Sequence, residues 1–128
     1  NARKVGTEIQ ISISGDVLFD FDESDINPRA DDTLSKIAKV AKKLQKNTML
    51  IEGHTDSKGS DLYNLRLSQQ RADSVKDWFS KKGGLSQVKF TTRGYGESRP
   101  VVPNEMPNGS DDPEGRAKNR RVEIRLQN

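Results

Sequence analysis

The chain has 128 residues, a length suited to one domain, with 22 Lys or Arg against 19 Asp or Glu and a formal charge of +3. Leu, Ile, Val and Phe supply only 28 residues, so a folded chain must have a thin core, two layers with one side facing water. No apolar run approaches the roughly 18 residues of a membrane helix, and the lack of Cys excludes disulfides, thiolate nucleophiles and cysteine-ligated metals. The start at Asn1, without Met, reads as a domain excised from a longer protein whose signal or membrane anchor lies upstream.

Thr7 to Ser14 alternates apolar and polar residues, the pattern of a half-buried strand. Gly15-Asp16 turns the chain, and Val17 to Asp22 reads as a short extended stretch. A helix follows, with Asn27 at the N-cap, Pro28 at the first helical position and Asp31 and Asp32 near the positive end of the dipole. Leu34, Ile37, Ala38, Ala41 and Leu44 form its apolar stripe, and its lysines lie largely outside that stripe as a solvated face. Thr48 to Glu52 is a second strand, ended by Gly53. The loop 54–60 leads into a second helix near Asp61 to Lys82, stopped by Gly83-Gly84. Gln87 to Arg93 is a third strand, residues 97–118 form a long Pro-containing connection, and Arg120 to Leu126 is the last strand.

The order β-α-β-α-β-loop-β predicts a single α/β (α+β) domain over residues 1–128, a two-layer sandwich. Its mixed four-stranded sheet carries both helices on one face. Right-handed crossovers make the first three strands parallel, and the fourth is expected antiparallel to its neighbour. Glu8, Gln10, Arg121, Glu123 and Arg125 fall on the face away from the helices.

The second helix carries an anomaly. At about 100° per residue, Leu67, Ala72, Val75, Trp78 and Phe79 share one arc, and Asn64, Ser68 and Arg71 fall inside it. An arginine on a buried arc needs an anionic partner. Ligands of open α/β sheets gather at the carboxyl ends of strands, where Asp20-Phe21-Asp22 and His54-Thr55-Asp56 emerge. Two readings fit: a structural Asp56–Arg71 ion pair, or a split clamp in which Arg71 takes a carboxylate and Asp56 an ammonium.

Catalytic and metal readings are weaker. His54 is the only histidine and reads as structural or loop-bonding. Gly53 and Gly59 lack the sequel of a P-loop, and Ser57 and Ser68 have no evident base beyond His54. The run 109–114 lacks the register of a calcium loop. No cofactor, no metal and no enzymatic activity are expected.

Four blocks stand in order along residues 8 to 126. They are Leu18-Phe19-Asp20-Phe21-Asp22; Gly53-His54-Thr55-Asp56 with Tyr63-Asn64-Leu65-Arg66-Leu67-Ser68-Gln69-Gln70-Arg71-Ala72; Gly94-Tyr95-Gly96-Glu97-Ser98-Arg99-Pro100; and Gly115-Arg116-Ala117-Lys118-Asn119-Arg120-Arg121-Val122-Glu123-Ile124. Together they resemble the OmpA-like C-terminal domain family, of the OmpA, Pal and MotB type. The resemblance implies a periplasmic domain of the bacterial envelope, tethered to the outer membrane through a missing N-terminal anchor. It implies non-covalent binding of peptidoglycan through the meso-diaminopimelate of the stem peptide, and possible envelope protein partners.

By the same resemblance, Asp56 matches the acid that pairs with the ligand ammonium and Arg71 the arginine that holds its carboxylate. Asn64, Thr55, Phe21 and Asp22 are supporting candidates. Arg120, in phase with Val122, Ile124 and Leu126, is the second basic contact in preference to Arg121. The connection from Asn104 to Glu114 is longer and more acidic than the family pattern, and reads as a groove-narrowing element, a partner contact or a tolerated surface insertion. The alternative is a basic-surface module for nucleic acid or a protein, with Asp56–Arg71 a structural ion pair. Against nucleic acid, Phe21, Phe90 and Tyr95 form no stacking platform and +3 is modest.

Overall fold

In the computed structural model, residues 2–5 and 8–128 are described, residues 2–5 by backbone only; the expected strand start at Thr7 lies outside them. The four expected strands are β2 (Glu8–Ser14), β3 (Thr48–His54), β4 (Lys89–Gly94) and β5 (Arg121–Gln127), and a short β1 (Ala2–Val5) adds at one edge. The sheet order is β1-β2-β5-β3-β4. β5 runs antiparallel between β2 and β3, and β3 pairs in parallel with β4. The last strand thus fills the gap between the first two expected ones, setting Ile13 and Gly53 against Val122 from either side.

Helices α2 (Asp31–Lys43) and α3 (Asp61–Lys81) both cover one face. Leu34 and Ile37 from α2, Val75 and Phe79 from α3, and Met49, Ile51, Val122, Ile124 and Leu126 from the sheet belong to one core cluster. Burial of these aliphatic and aromatic side chains, each contributing about 1.5–3 kcal/mol, drives the two layers together. The Asn27 cap read from sequence acts as expected, and the structure adds one at Ser60. The Asn27 side chain accepts from the Arg29 N–H, though a 3-10 turn (Pro28–Ala30) precedes α2, and Ser60 accepts from the Tyr63 N–H at the start of α3.

Two segments depart from the expected elements. Val17 and Leu18, expected to begin an extended stretch after the Gly15-Asp16 turn, instead complete a helical turn, α1 (Gly15–Leu18), because Ser14 caps it by accepting from the Asp16 N–H; Leu18 and Phe19 then drop into the core. The connection 97–118 ends in a helix, α4 (Pro113–Asn119), with Asp112 accepting from the Gly115 N–H and Pro113 in its first turn.

One close approach positions the pocket described next. A Cβ on Gly53 would run into the Ser68 carbonyl, and one on Gly94 into the Gln69 backbone. Glycine at both places lets the first half of α3 lie directly on the ends of β3 and β4. That seating brings Asn64, Ser68 and Arg71 to the carboxyl end of β3.

Candidate ligand pocket

A cavity of about 700 Å³ opens at this end of the sheet. Phe21, Asp22, Thr55, Asp56, Asn64, Arg71 and Arg120, the seven residues singled out from sequence, all line it. So do Asp16, Arg29, Tyr63 and Arg116, which the sequence reading passed over.

Arg71 is buried on the inner face of α3, as its helical phase requires, but it does not pair with Asp56. Its Nε donates to the Glu23 carbonyl at 2.8 Å and its Nη2 to the Asp20 carbonyl at 3.4 Å. Its guanidinium stacks on Phe19, 4.8 Å from the ring centroid. These neighbours hold the group in place without neutralising it, and among the described residues no carboxylate lies at ion-pairing distance. Burial draws the Arg71 pKa below the ordinary arginine value, yet a guanidinium stays charged at any physiological pH. The structural ion pair weighed from sequence is therefore absent, and a fixed positive charge faces the cavity with its Nη1 unengaged.

Asp56 is also buried, and its partners are different arginines. Arg120 Nη1 donates to Asp56 Oδ2 at 2.6 Å and Arg116 Nη1 to the same oxygen at 3.4 Å, while Oδ1 accepts from the Lys58 N–H at 3.0 Å. Each arginine gives its Nε–Nη2 fork to an outer aspartate. Arg120 grips Asp16 at 3.0 Å through both bonds, and Arg116 grips Asp111 at 2.7 and 2.8 Å. The Asp16 carboxylate, then Asp56, hold the Arg120 pKa well above its ordinary value. The hydrogen bonds between Asp111 and Arg116 lower the Asp111 pKa and raise that of Arg116.

The other predicted residues build the walls. The Asn64 amide nitrogen donates to the Lys58 carbonyl at 2.8 Å and, more weakly, to the Asp56 carbonyl and Glu97, so it fastens the 56–59 loop. Thr55 is buried, with its hydroxyl donating to the Asp56 carbonyl at 2.8 Å. Asp22 sits at φ 59° and accepts from the Tyr63 hydroxyl at 2.7 Å. Phe21 is 90% exposed at the mouth. Asp20 pairs with Arg29 at 3.0 Å.

His54 lies on the other face of the sheet and is not a loop-bonding residue. It belongs to β3, stacks on Tyr95 with ring centroids 5.4 Å apart, and among the described residues neither ring nitrogen has a hydrogen-bond partner. Burial, reinforced by the Arg121 charge, pushes its pKa down to about 4, so the imidazole is neutral near pH 7. Glu52, His54 and Glu123 are close enough together to consider a metal, but Arg121 already bonds Glu123 at 2.6 Å and Arg125 lies 3.7 Å from Glu52. The arginines neutralise both carboxylates. Arg121 also donates to the Asn119 and Arg99 carbonyls, which is why this outward-facing residue is buried.

Fold and pocket define a class: a two-layer α/β module that presents opposite charges, held at fixed positions, in a cavity at the end of a sheet. The OmpA family model matches residues 18–120, and the chain belongs to the OmpA family. It is 43% identical over 96% of its length to part of the Photosystem I P700 chlorophyll a apoprotein A2 of Gloeobacter violaceus. It is 38% identical over 91% of its length to part of outer membrane porin F of Pseudomonas aeruginosa. The chain spans 14% and 32%, respectively, of those two relatives. Among solved structures, the cell wall anchor of the T6SS from Pseudomonas aeruginosa superposes with a TM-score of 0.84 at 30% identity, covering 99% of this chain and 86% of that one.

Proposed function

We propose that this domain binds peptidoglycan without covalent chemistry, through the meso-diaminopimelate of the stem peptide, and so anchors a larger protein of the bacterial envelope to the cell wall. The observation that carries this reading is the buried, unneutralised Arg71 guanidinium beside a cavity that also contains Asp56. The distal end of diaminopimelate bears one carboxylate and one ammonium. Arg71 holds the carboxylate through its unengaged edge, and Asp56 attracts the ammonium. Family membership and the likeness to a cell wall anchor support the same reading. The outer-membrane relative favours a periplasmic location beneath the outer membrane.

The role is binding and not turnover. Ser68 Oγ donates to the Leu65 carbonyl and accepts from the Gly96 N–H, Thr55 is tied to a backbone carbonyl, and His54 faces away from the cavity. Calorimetry with a diaminopimelate stem peptide and its lysine counterpart tests the proposal. Lysine lacks the distal carboxylate, so it leaves Arg71 unpaired and is expected to bind at least ten-fold more weakly, about 1.4 kcal/mol or more. Arg71→Ala is expected to remove the preference while the protein stays folded. Equal binding of both peptides by the wild type, or no binding at all, refutes the clamp.

A further inference from the structure

Asp56, Arg116 and Arg120 form a chain of charges with a regular pattern. Both arginines turn their two-pronged edge outward, Arg120 to Asp16 and Arg116 to Asp111, and reach Asp56 with a single Nη1 each. The two contacts with Asp56 are unequal, 2.6 Å from Arg120 and 3.4 Å from Arg116. A carboxylate offers about four acceptor positions. The Lys58 N–H and Arg120 take two of them firmly, and Arg116 hovers over a third.

The restraint on Arg116 comes from the acidic connection. Asp111 closes the 104–112 hairpin, pairing across it with Glu105, while the Met106 N–H donates to the Ser110 carbonyl at 2.8 Å. Asn119, fully buried in α4, ties the other end of the connection by accepting from the Val101 and Val102 N–H groups. The hairpin is thus anchored beside α4, and it offers the Arg116 guanidinium a bidentate partner on the side away from the cavity.

We propose that Asp111 is a positioning residue for ligand affinity: it holds Arg116 back from Asp56, and the cationic group of the ligand takes the acceptor position on Asp56 that Arg116 would otherwise fill. This gives the acidic insertion a role in the pocket although its tip does not line it. The inference rests on the proposed binding of an ammonium-bearing stem peptide by Asp56.

The test is a double-mutant cycle by calorimetry with a diaminopimelate stem tripeptide, on the wild type, Asp111→Asn, Arg116→Gln and the double variant, with thermal melts to verify folding. Freed of Asp111, Arg116 closes on Asp56, so Asp111→Asn is expected to weaken binding about five-fold. Arg116→Gln is expected to tighten it about three-fold, and Asp111→Asn is expected to have no further effect in that background. An Asp111→Asn variant that binds like the wild type overturns the proposal. A loss that persists in the Arg116→Gln background also overturns it, because the loop then acts through its general negative field. Weaker binding by Arg116→Gln alone makes Arg116 a ligand contact and overturns it too. A wild type that does not bind the peptide refutes the binding reading itself and this inference with it; the other three outcomes leave that reading standing.

Discussion

His54 makes the stability of this domain sensitive to mild acid. The imidazole is 4% exposed, lies under Tyr95 and faces Glu52 and Glu123, whose carboxylates Arg125 and Arg121 neutralise; Arg99 stacks over Tyr95 from outside. Its pKa falls from 6.5 to about 4 on folding, first through burial and then through Arg121. Between those values the unfolded chain binds a proton that the folded chain refuses, so stability is complete above pH 6.5 and falls as the pH drops toward 4. The loss is about 2 kcal/mol by pH 5 and about 3 kcal/mol by pH 4. For a domain of this size, 2 kcal/mol lowers the melting temperature by roughly 7 °C. Urea denaturation of the wild type and His54→Phe at pH 7.5, 6 and 5 measures it. Phenylalanine keeps the stacked ring and removes the titration, so the wild type is expected to lose about 2 kcal/mol more than the variant between pH 7.5 and 5. Carboxylates remote from His54 that titrate in the same window contribute equally to both proteins and cancel. Parallel pH profiles for the two would refute the claim that His54 is held neutral by its surroundings.

Two further variants test the scaffold. Gly53→Ala forces a methyl against the Ser68 carbonyl; it should cost about 2–3 kcal/mol in urea denaturation and reduce peptide binding by displacing α3 from the sheet end. Asn119→Ala removes four hydrogen bonds to Val101, Val102 and Asn104 from a fully buried site. Its cost should be about 2–3 kcal/mol, with faster amide exchange at Val101 and Val102 while the core of β3 stays protected.

Much of the architecture is legible in local patterns. Strand alternation, the 3.6-residue stripe of α2 and the capping side chains at Asn27 and Ser60 each depend on neighbours a few residues away. The buried arc of α3 is also local: once Leu67 and Phe79 face inward, Asn64, Ser68 and Arg71 must follow. Two helices were hidden in plain signals. Ser14 before Gly15-Asp16, and Asp112-Pro113 before Glu114, are N-cap sequences whose short helices carry too little apolar periodicity to stand out. Reading the second would have drawn Arg116 into the site.

The sequence by itself determined the layers, the faces of the helices and the chemical types brought to one end of the sheet, because periodicity and capping act within a turn or two of the chain. The tertiary structure alone decided the position of β5 between β2 and β3 and the choice of partner for each charge. Asp56 meets arginines 60 and 64 residues away, and Arg71 is held by carbonyls 48 and 51 residues before it. Several aspartates and arginines converge here with similar chemistry, and no local pattern ranks one pairing above another. Backbone geometry does so, by setting which guanidinium edge each carboxylate can reach and leaving Arg71 with none among the described residues.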